Sequence, residues 1–361
     1  MFRFRRPPLA RSAFLFLLGA ALLTSACDDG AAVGDVAEVT VMTRNVYLGA
    51  NIFRVTQATA PEDLPVIAAE IFGIMEANDY PARAGALAAE IAAHSPHLVG
   101  LQEVEIYRTQ DPSDYVTGNY TANAGTVHTD FLQVLMDSLD ARGLSYTVAA
   151  QVVNADTELP AAKNDSQFFD IRMTDHDVIL ARSDVQTANA GGQGYEWIVP
   201  YELVSGDTVW FERGYTWADA TVEDVTFTFV NTHFEVSAGG QLGFYQNRQA
   251  QELVERFAGT EPVVLLGDFN TQPGENPYSL LTDPWTDAWT AVSSAPGLTC
   301  CQGEVLNTTQ DFYERIDLIL FGGAVDALSA EVIGDELADR TTGGLWPSDH
   351  AGLVATLRIE N

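Results

Sequence analysis

Val263-Val264-Leu265-Leu266 runs straight into Gly267-Asp268-Phe269-Asn270. A continuous apolar run of this length reads as a strand buried on both faces. Behind it stand a carboxylate and a carboxamide two residues apart, and the period of a strand is two. Asp268 and Asn270 therefore project to the same side of the sheet edge. Oxygen-bearing groups held together at the mouth of a rigid strand suit a hard cation or a phosphoryl oxygen. An Asp and an Asn opening a turn would leave the same letters, so partners elsewhere in the chain decide the reading.

Those partners recur at the ends of other strands. Val36 to Asn45 reads as a first strand ending in Asn45. Leu98-Val99-Gly100-Leu101 ends at Gln102-Glu103. Val225 to Asn231 alternates and stops at Thr232-His233, and Arg315-Ile316-Asp317-Leu318-Ile319-Leu320 carries Asp317. Ligands gather at strand ends, where loops place side chains on a rigid support. Five such ends in one chain are hard to explain as turn chemistry.

Between the strands, Leu64 to Met75 is apolar at helical spacing, with Asp63 positioned to cap it. Further helices are expected over about Ala82 to Ala93, Asp130 to Ala141 (with Gly143 as the stop) and Tyr245 to Phe257. Strands are expected near Tyr146 to Val153, Asp177 to Ala181 and Gly352 to Ile359, and Gln186 to Gly214 reads as Gly-rich hairpins and loop. Strand and helix patterns alternate to the end without internal repeats. One large α/β domain over residues 36–361 accounts for them.

The first 26 residues carry Arg3, Arg5, Arg6 and Arg11, then an apolar run from Ala13 to Leu23, then Thr24-Ser25-Ala26-Cys27. A basic region, a short apolar core and small residues before a cut describe an export signal, and the run is too short for a membrane span. The segment before Cys27 resembles a lipobox, with Cys27 acylated and residues 27–35 as a polar spacer. That makes the protein exported, and either anchored to the cell envelope or secreted. Ordinary signal peptidase would also cut after Ala26.

Removal of residues 1–26 leaves 14 basic against 50 acidic side chains, a net charge of −36 over 335 residues. Such acidity repels polyanions at long range and argues against a basic nucleic-acid-binding stripe. It leaves room for a nuclease whose cation supplies the local positive charge. The three cysteines make no zinc pattern. Cys300 and Cys301 are adjacent, as either two thiols or a vicinal bridge.

In order along residues 45 to 350, Asn45 in Arg44-Asn45-Val46-Tyr47, Glu103 in Leu101-Gln102-Glu103-Val104, and the strand Asp177 to Arg182 resemble the endonuclease/exonuclease/phosphatase superfamily. So do Asn231-Thr232-His233, Gly267-Asp268-Phe269-Asn270, Arg315-Ile316-Asp317 and Ser348-Asp349-His350. This superfamily includes deoxyribonuclease I-like nucleases, apurinic endonucleases, sphingomyelinases and inositol-polyphosphate phosphatases. The resemblance implies a four-layer α+β sandwich, with two mixed β-sheets packed face to face and helices outside. Two positions depart from the pattern: Asp177 stands where a glycine is common, and Tyr47 where apurinic endonucleases carry a carboxylate.

The resemblance also implies roles. Glu103 is the principal ligand for magnesium, with manganese or calcium as alternatives, and Asn45 and Asp349 lie beside the ion. His350 contacts the phosphate, oriented by Asp317. His233 donates to the leaving-group oxygen or a non-bridging oxygen. Asp268 positions or deprotonates the water, and Asn270 holds the phosphate. Either Asp268 or His350 is the general base. The activity expected is single-step hydrolysis of a phosphoester by a monomer, on a small or lipid-derived diester more than on long duplex DNA. A secreted endonuclease for DNA or RNA and a catalytically silent, surface-anchored binding module are the competing readings.

Overall fold

The computed structural model describes residues 35–236 and 239–360. The proposed export signal, Cys27 and most of the polar spacer lie outside the described residues.

Two sheets form the interior. The eight-stranded sheet runs in the order Val325–Ile333, Gly352–Glu360, Val36–Asn45, Leu98–Gln102, Gln167–Arg182, Ile106–Gln110, Thr126–Asp130, and Tyr146–Asn164 pairs along Gln167–Arg182. The six-stranded sheet runs Thr286–Asp287, Asp317–Gly322, Val263–Asp268, Val225–His233, Gly214–Val222, Gln186–Gly194. Each sheet has one parallel pair at its centre, Val36–Asn45 with Leu98–Gln102 and Val225–His233 with Val263–Asp268. Parallel neighbours end on the same edge, so Asn45, Glu103, His233 and Asp268 follow from the topology to one rim.

The sheets pack face to face. Val39, Val41, Ile179 and Leu353 of the larger meet Phe227, Phe229, Val264, Leu266 and Ile319 of the smaller in a single apolar layer. Gly100 marks a close approach, since a Cβ there would lie 2.1 Å from Leu266 Cδ1. Beside it Asn231 bridges the layers. Its Nδ2 donates to Leu101 O (3.0 Å) and Val178 O (3.2 Å), and Gln102 Nε2 donates to its Oδ1 (2.6 Å). All three groups are buried, so these bonds fix the relative register of the sheets where the site begins.

Helices Leu64–Ala77, Tyr80–His94 and Phe131–Asp140 cover the outer face of the larger sheet. Gly240–Phe257 covers the smaller, through Ala250, Leu253 and Phe257. The result is a four-layer sandwich with the helices outside. Asp63 does not cap the helix that follows it. Its Oδ2 instead accepts from the N–H groups of Thr59 and Ala60, because the preceding residues turn back in a short 3₁₀ segment that reaches the carboxylate first.

Candidate active site

A cleft of roughly 320 Å³ opens at the shared rim of the two sheets, and Glu103, His233, Asp268, Asn270, Asp349 and His350 all line it. Asn45 joins them from below. Its Nδ2 donates to Glu103 Oε1 and to Asp268 Oδ2, 3.1 Å each, and so ties one sheet's catalytic end to the other's. Glu103 Oε2 accepts from Leu48 N at 2.7 Å. Asp268 Oδ1 accepts from Asn270 N at 3.0 Å, and Asn270 Nδ2 donates to Phe234 O. Glu103 (φ 59°) and Asn270 (φ 48°) both hold left-handed backbone. Residues other than glycine rarely adopt it without support from the surroundings. Here it turns each side chain off its strand end and into the cleft.

Register sets the second set of contacts. Asp268 pairs with His233 on one side and with Asp317 on the other. His350 precedes the strand Gly352–Glu360, and its Nδ1 lies 2.9 Å from Asp317 Oδ2. Its Nε2 lies 3.8 Å from Asp268 Oδ2, while His233 Nε2 lies 3.4 Å from the same oxygen. The two imidazoles thus flank one carboxylate. The loop holding His350 is fixed from behind. Ser348 Oγ donates to Asn45 O at 2.8 Å, and the buried Arg44 guanidinium donates to His350 O while pairing with Glu90.

The two histidines carry opposite electrostatics. Burial disfavours the charged form of His350, but Asp317, Asp268 and Asp349 together outweigh it and hold its pKa well above the ordinary value. Asp317 as a carboxylate only accepts, so the Nδ1 proton of His350 is fixed and Nε2 faces Asp268. His233 is pushed well below its ordinary pKa, by burial first and then by Arg213 and His350. Arg213 NH1 lies 3.0 Å from His233 Nδ1. A guanidinium cannot accept, so that nitrogen is the acceptor and the His233 proton sits on Nε2, toward the cleft. The two histidines are thus tuned in opposite directions, and each presents Nε2 to Asp268.

The carboxylates form a donor set that a cation would suit. Burial raises Asp268 and Asp349 to about 6 and raises Glu103, each opposed by His350. Asp317 Oδ1 and both oxygens of Glu105 are buried without a hydrogen-bond partner. A donor set made of hard oxygens with surplus negative charge fits a divalent ion such as magnesium. Asp268, Asp317 and His350 offer ligand atoms that lie within 4.8 Å of one another. Glu103 and Asp349 are not in that set, although both line the same cleft, and Asn45 Nδ2 lies between Glu103 and Asp268.

The sequence reading missed Arg213, Glu105 and Asp175, all in the cleft wall. Arg213 directly precedes Gly214–Val222, whose first residue pairs with His233. The alternating pattern of that strand marks its existence, but not the pairing that puts the guanidinium beside the histidine. Arg83 was missed as well. Buried among carbonyls, it donates to Val46 O, Tyr47 O, Asn78 O and Pro347 O, and it fixes the loops that carry Asn45 and His350. Asp177 lies fully buried beneath the cleft, and His176 bonds through Nδ1 to Val104 O at 3.1 Å. Tyr47 donates to Glu304 O at 3.0 Å.

Two mixed sheets sharing one acid-lined rim, with paired histidines over a carboxylate, define a sandwich protein equipped for acid–base chemistry beside a hard cation. The chain belongs to the endonuclease/exonuclease/phosphatase family, whose sequence pattern matches residues 45–350. That family includes metal-dependent phosphoester hydrolases and is generally dependent on a divalent metal. Among solved structures, a family protein from Bacteroides thetaiotaomicron superposes with a TM-score of 0.56 at 16% identity, over 90% of this chain and 99% of that one. A mannosyl-6-phosphatase from the same organism gives 0.53 at 19%, over 88% and 99%. D. rerio TDP2 complexed with single-strand DNA product gives 0.50 at 16%, over 89% and 99%. At these identities the likeness shows the fold. No curated protein matches the sequence.

Proposed function

We propose that the protein is a magnesium-dependent phosphodiesterase that hydrolyses its substrate by direct attack of water. The observation that carries this reading is the pair of oppositely tuned histidines around Asp268. Phosphodiesters resist hydrolysis because the reacting oxygens are already anionic, so catalysis rests on offsetting charge and holding water in line. When bound, the divalent ion supplies positive charge to the phosphoryl oxygens. Asp268 and Asn270 orient the water and the phosphate. His233 donates a hydrogen bond from Nε2–H to a phosphoryl oxygen and stays neutral. Asp268 takes the proton of the attacking water, and His350, oriented by Asp317 and held in its charged form, gives its Nε2 proton to the leaving oxygen.

One feature favours a diester with an apolar substituent. A cavity of about 70 Å³ lined by Ile52, Val55, Ile71, Phe72, Leu159 and Ile171, among others, adjoins the cleft and shares Ile52, Met173 and Phe211 with it. Phe53, Tyr201 and Phe211 pack with ring centroids 5.2–5.4 Å apart at the same end. This apolar wall suits a lipid-derived group better than a polynucleotide backbone.

The test is a substrate panel with magnesium, manganese or calcium: bis-p-nitrophenyl phosphate, sphingomyelin, phosphoinositide, p-nitrophenyl phosphate, mannose 6-phosphate and plasmid DNA. Diester cleavage that chelation abolishes and His350→Ala reduces by about two orders of magnitude is the expected result. Cleavage of plasmid DNA in preference to the lipid diesters makes the protein a nuclease. An untouched panel makes it a binding module. We propose further that residues 1–26 direct export and that Cys27 is acylated. Among the described residues no helix is long and apolar enough to cross a membrane. Fatty-acid labelling that leaves the protein unlabelled removes the anchor.

A further inference from the structure

Away from the cleft, the segment of residues 111–125 leaves the strand Ile106–Gln110 and returns to the sheet at Thr126. On its way it lies against the long hairpin of Tyr146–Asn164 and Gln167–Arg182. Three carboxylates meet there, and each offers an oxygen within 4.8 Å of the others: Asp114 from the segment, and Glu158 and Asp170 from the hairpin. Glu158 pairs with Arg172 and Pro160 with Asp170, so the two acids are diagonal neighbours on one face.

Most of their oxygens are occupied. Asp170 Oδ1 accepts from Ser113 Oγ, and Oδ2 from Asp114 N (2.9 Å) and Tyr115 N (3.4 Å). Glu158 Oε2 accepts from Asn123 N and Ala124 N, 2.7 Å each. Asp114 Oδ2 accepts from Asn119 Nδ2 and Asn123 Nδ2, 3.0 Å each. Two oxygens remain, Asp114 Oδ1 and Glu158 Oε1, both buried and neither with a partner. Glu158 is only 6% exposed and Asp170 is fully buried.

The basic side chains nearby are committed to other groups. Lys163 pairs with Asp111, Arg172 with Asp156, and Arg108 donates to Thr174 Oγ1. Three like charges at this separation repel, and two buried acceptors stay unsatisfied. A cation removes both penalties at once. The donors are all oxygen, which excludes a thiolate or imidazole metal. Asp114 comes from the loop and Glu158 and Asp170 from paired strands, and a site built from protein carboxylates matches calcium better than magnesium, which keeps most of its waters and uses one or two carboxylates.

We propose that Asp114, Glu158 and Asp170 form a calcium site that fastens the 111–125 segment to the hairpin. It stands independently of the reading of the catalytic cleft and shares no residue with it. The site flanks a surface groove lined by Tyr115, Tyr120, Glu158, Asp207 and Trp210, so the bound ion also fixes that wall.

The test compares melting in EDTA and in 1 mM calcium chloride for the wild type, Glu103→Gln, Asp114→Asn and Glu158→Gln. Calcium raises Tm by about 2–5 °C in the wild type and in Glu103→Gln, and leaves Asp114→Asn and Glu158→Gln unmoved. In EDTA, Glu158→Gln melts no lower than the wild type, because the amide oxygen still accepts the two N–H bonds and one repulsive charge is gone. Limited proteolysis of the wild type in saturating magnesium is the arm that needs no variant. Added calcium slows cleavage within residues 111–125 by tenfold or more. Equal calcium stabilisation of Glu158→Gln, or unchanged proteolysis of the wild type, overturns the proposal.

Discussion

Asp317→Asn tests the positioning of His350, whose ring Asp317 holds. Asp317 is fully buried, and its Oδ2 is the nearest side-chain partner of the His350 ring, at 2.9 Å. Asparagine has nearly the same volume, and the backbone N–H of residue 317 keeps its bond to Thr299 Oγ1, so the fold is expected to survive. The amide offers either an oxygen of weaker basicity or an N–H that would force the imidazole proton onto Nε2. Loss of a hydrogen bond to a charged group is worth about 1.5–3 kcal/mol. At about 1.4 kcal/mol per tenfold in rate, orientation alone costs roughly 10- to 150-fold. Losing the correct protonation at Nε2 extends the loss to about 10²–10⁴-fold, the range of general acid–base catalysis. Steady-state hydrolysis of bis-p-nitrophenyl phosphate with magnesium should show this loss in kcat, with KM changed by less than about threefold, since Asp317 does not line the cleft. A folded Asp317→Asn protein that keeps more than about a third of wild-type kcat refutes the reasoning.

Other perturbations address the ion, the buried charge and the sheet contact. Glu103→Gln should raise the magnesium concentration needed for half-maximal activity by tenfold or more; an unchanged metal titration removes Glu103 from the ion. Burial, and then the neighbouring Asp175, hold the Asp177 carboxyl well above its ordinary pKa, so the native state keeps this proton longer than the unfolded chain does. Its contribution is complete below about pH 4 and is lost as pH rises toward the elevated native value, by up to about 1.4 kcal/mol per pH unit. Asp177→Asn should therefore match the wild type near pH 4 and be the more stable protein at pH 8; parallel pH–stability curves would sink the idea. Gly100→Ala places a Cβ 2.1 Å from Leu266 Cδ1 and 2.6 Å from Asn231 Oδ1, and should lower stability by about 1–3 kcal/mol. An unmoved urea midpoint means that the sheets are not in contact there.

The strands that carry chemistry were legible because each is short, apolar and sharply ended. Val36–Asn45, Leu98–Gln102 and Val263–Asp268 lie within a residue or two of where their letters place them. Other strands were hidden by composition. Val325–Ile333 carries Ala327, Leu328, Ala330 and Glu331, residues that favour helix in isolation, and pairing with Gly352–Glu360 makes it a strand. The hairpin arms Tyr146–Asn164 and Gln167–Arg182 run far beyond their apolar parts, because pairing along their length supplies the stability that polar residues do not. Within the cleft, residues at strand ends could be read, whereas Arg213 could not. Its partner His233 lies 20 residues away, across a pairing that the letters do not show.

The first and last strands of the domain lie side by side near the middle of the larger sheet. Val36–Asn45 carries Asn45 at its end, Gly352–Glu360 follows directly from His350, and the two pair over eight positions from Val36 with Glu360 to Thr43 with Leu353. The cleft is therefore closed by the most distant parts of the domain, and it has no local precursor that could work by itself. During synthesis His350 and the strand Gly352–Glu360 arrive after every other residue that lines the cleft. Proteolysis that removes residues 345–360 takes away a central strand and His350 in the same cut. Under the proposed function, activity is expected of the completed sandwich alone, and a fragment that lacks residues 345–360 is expected to be inert and not merely slow.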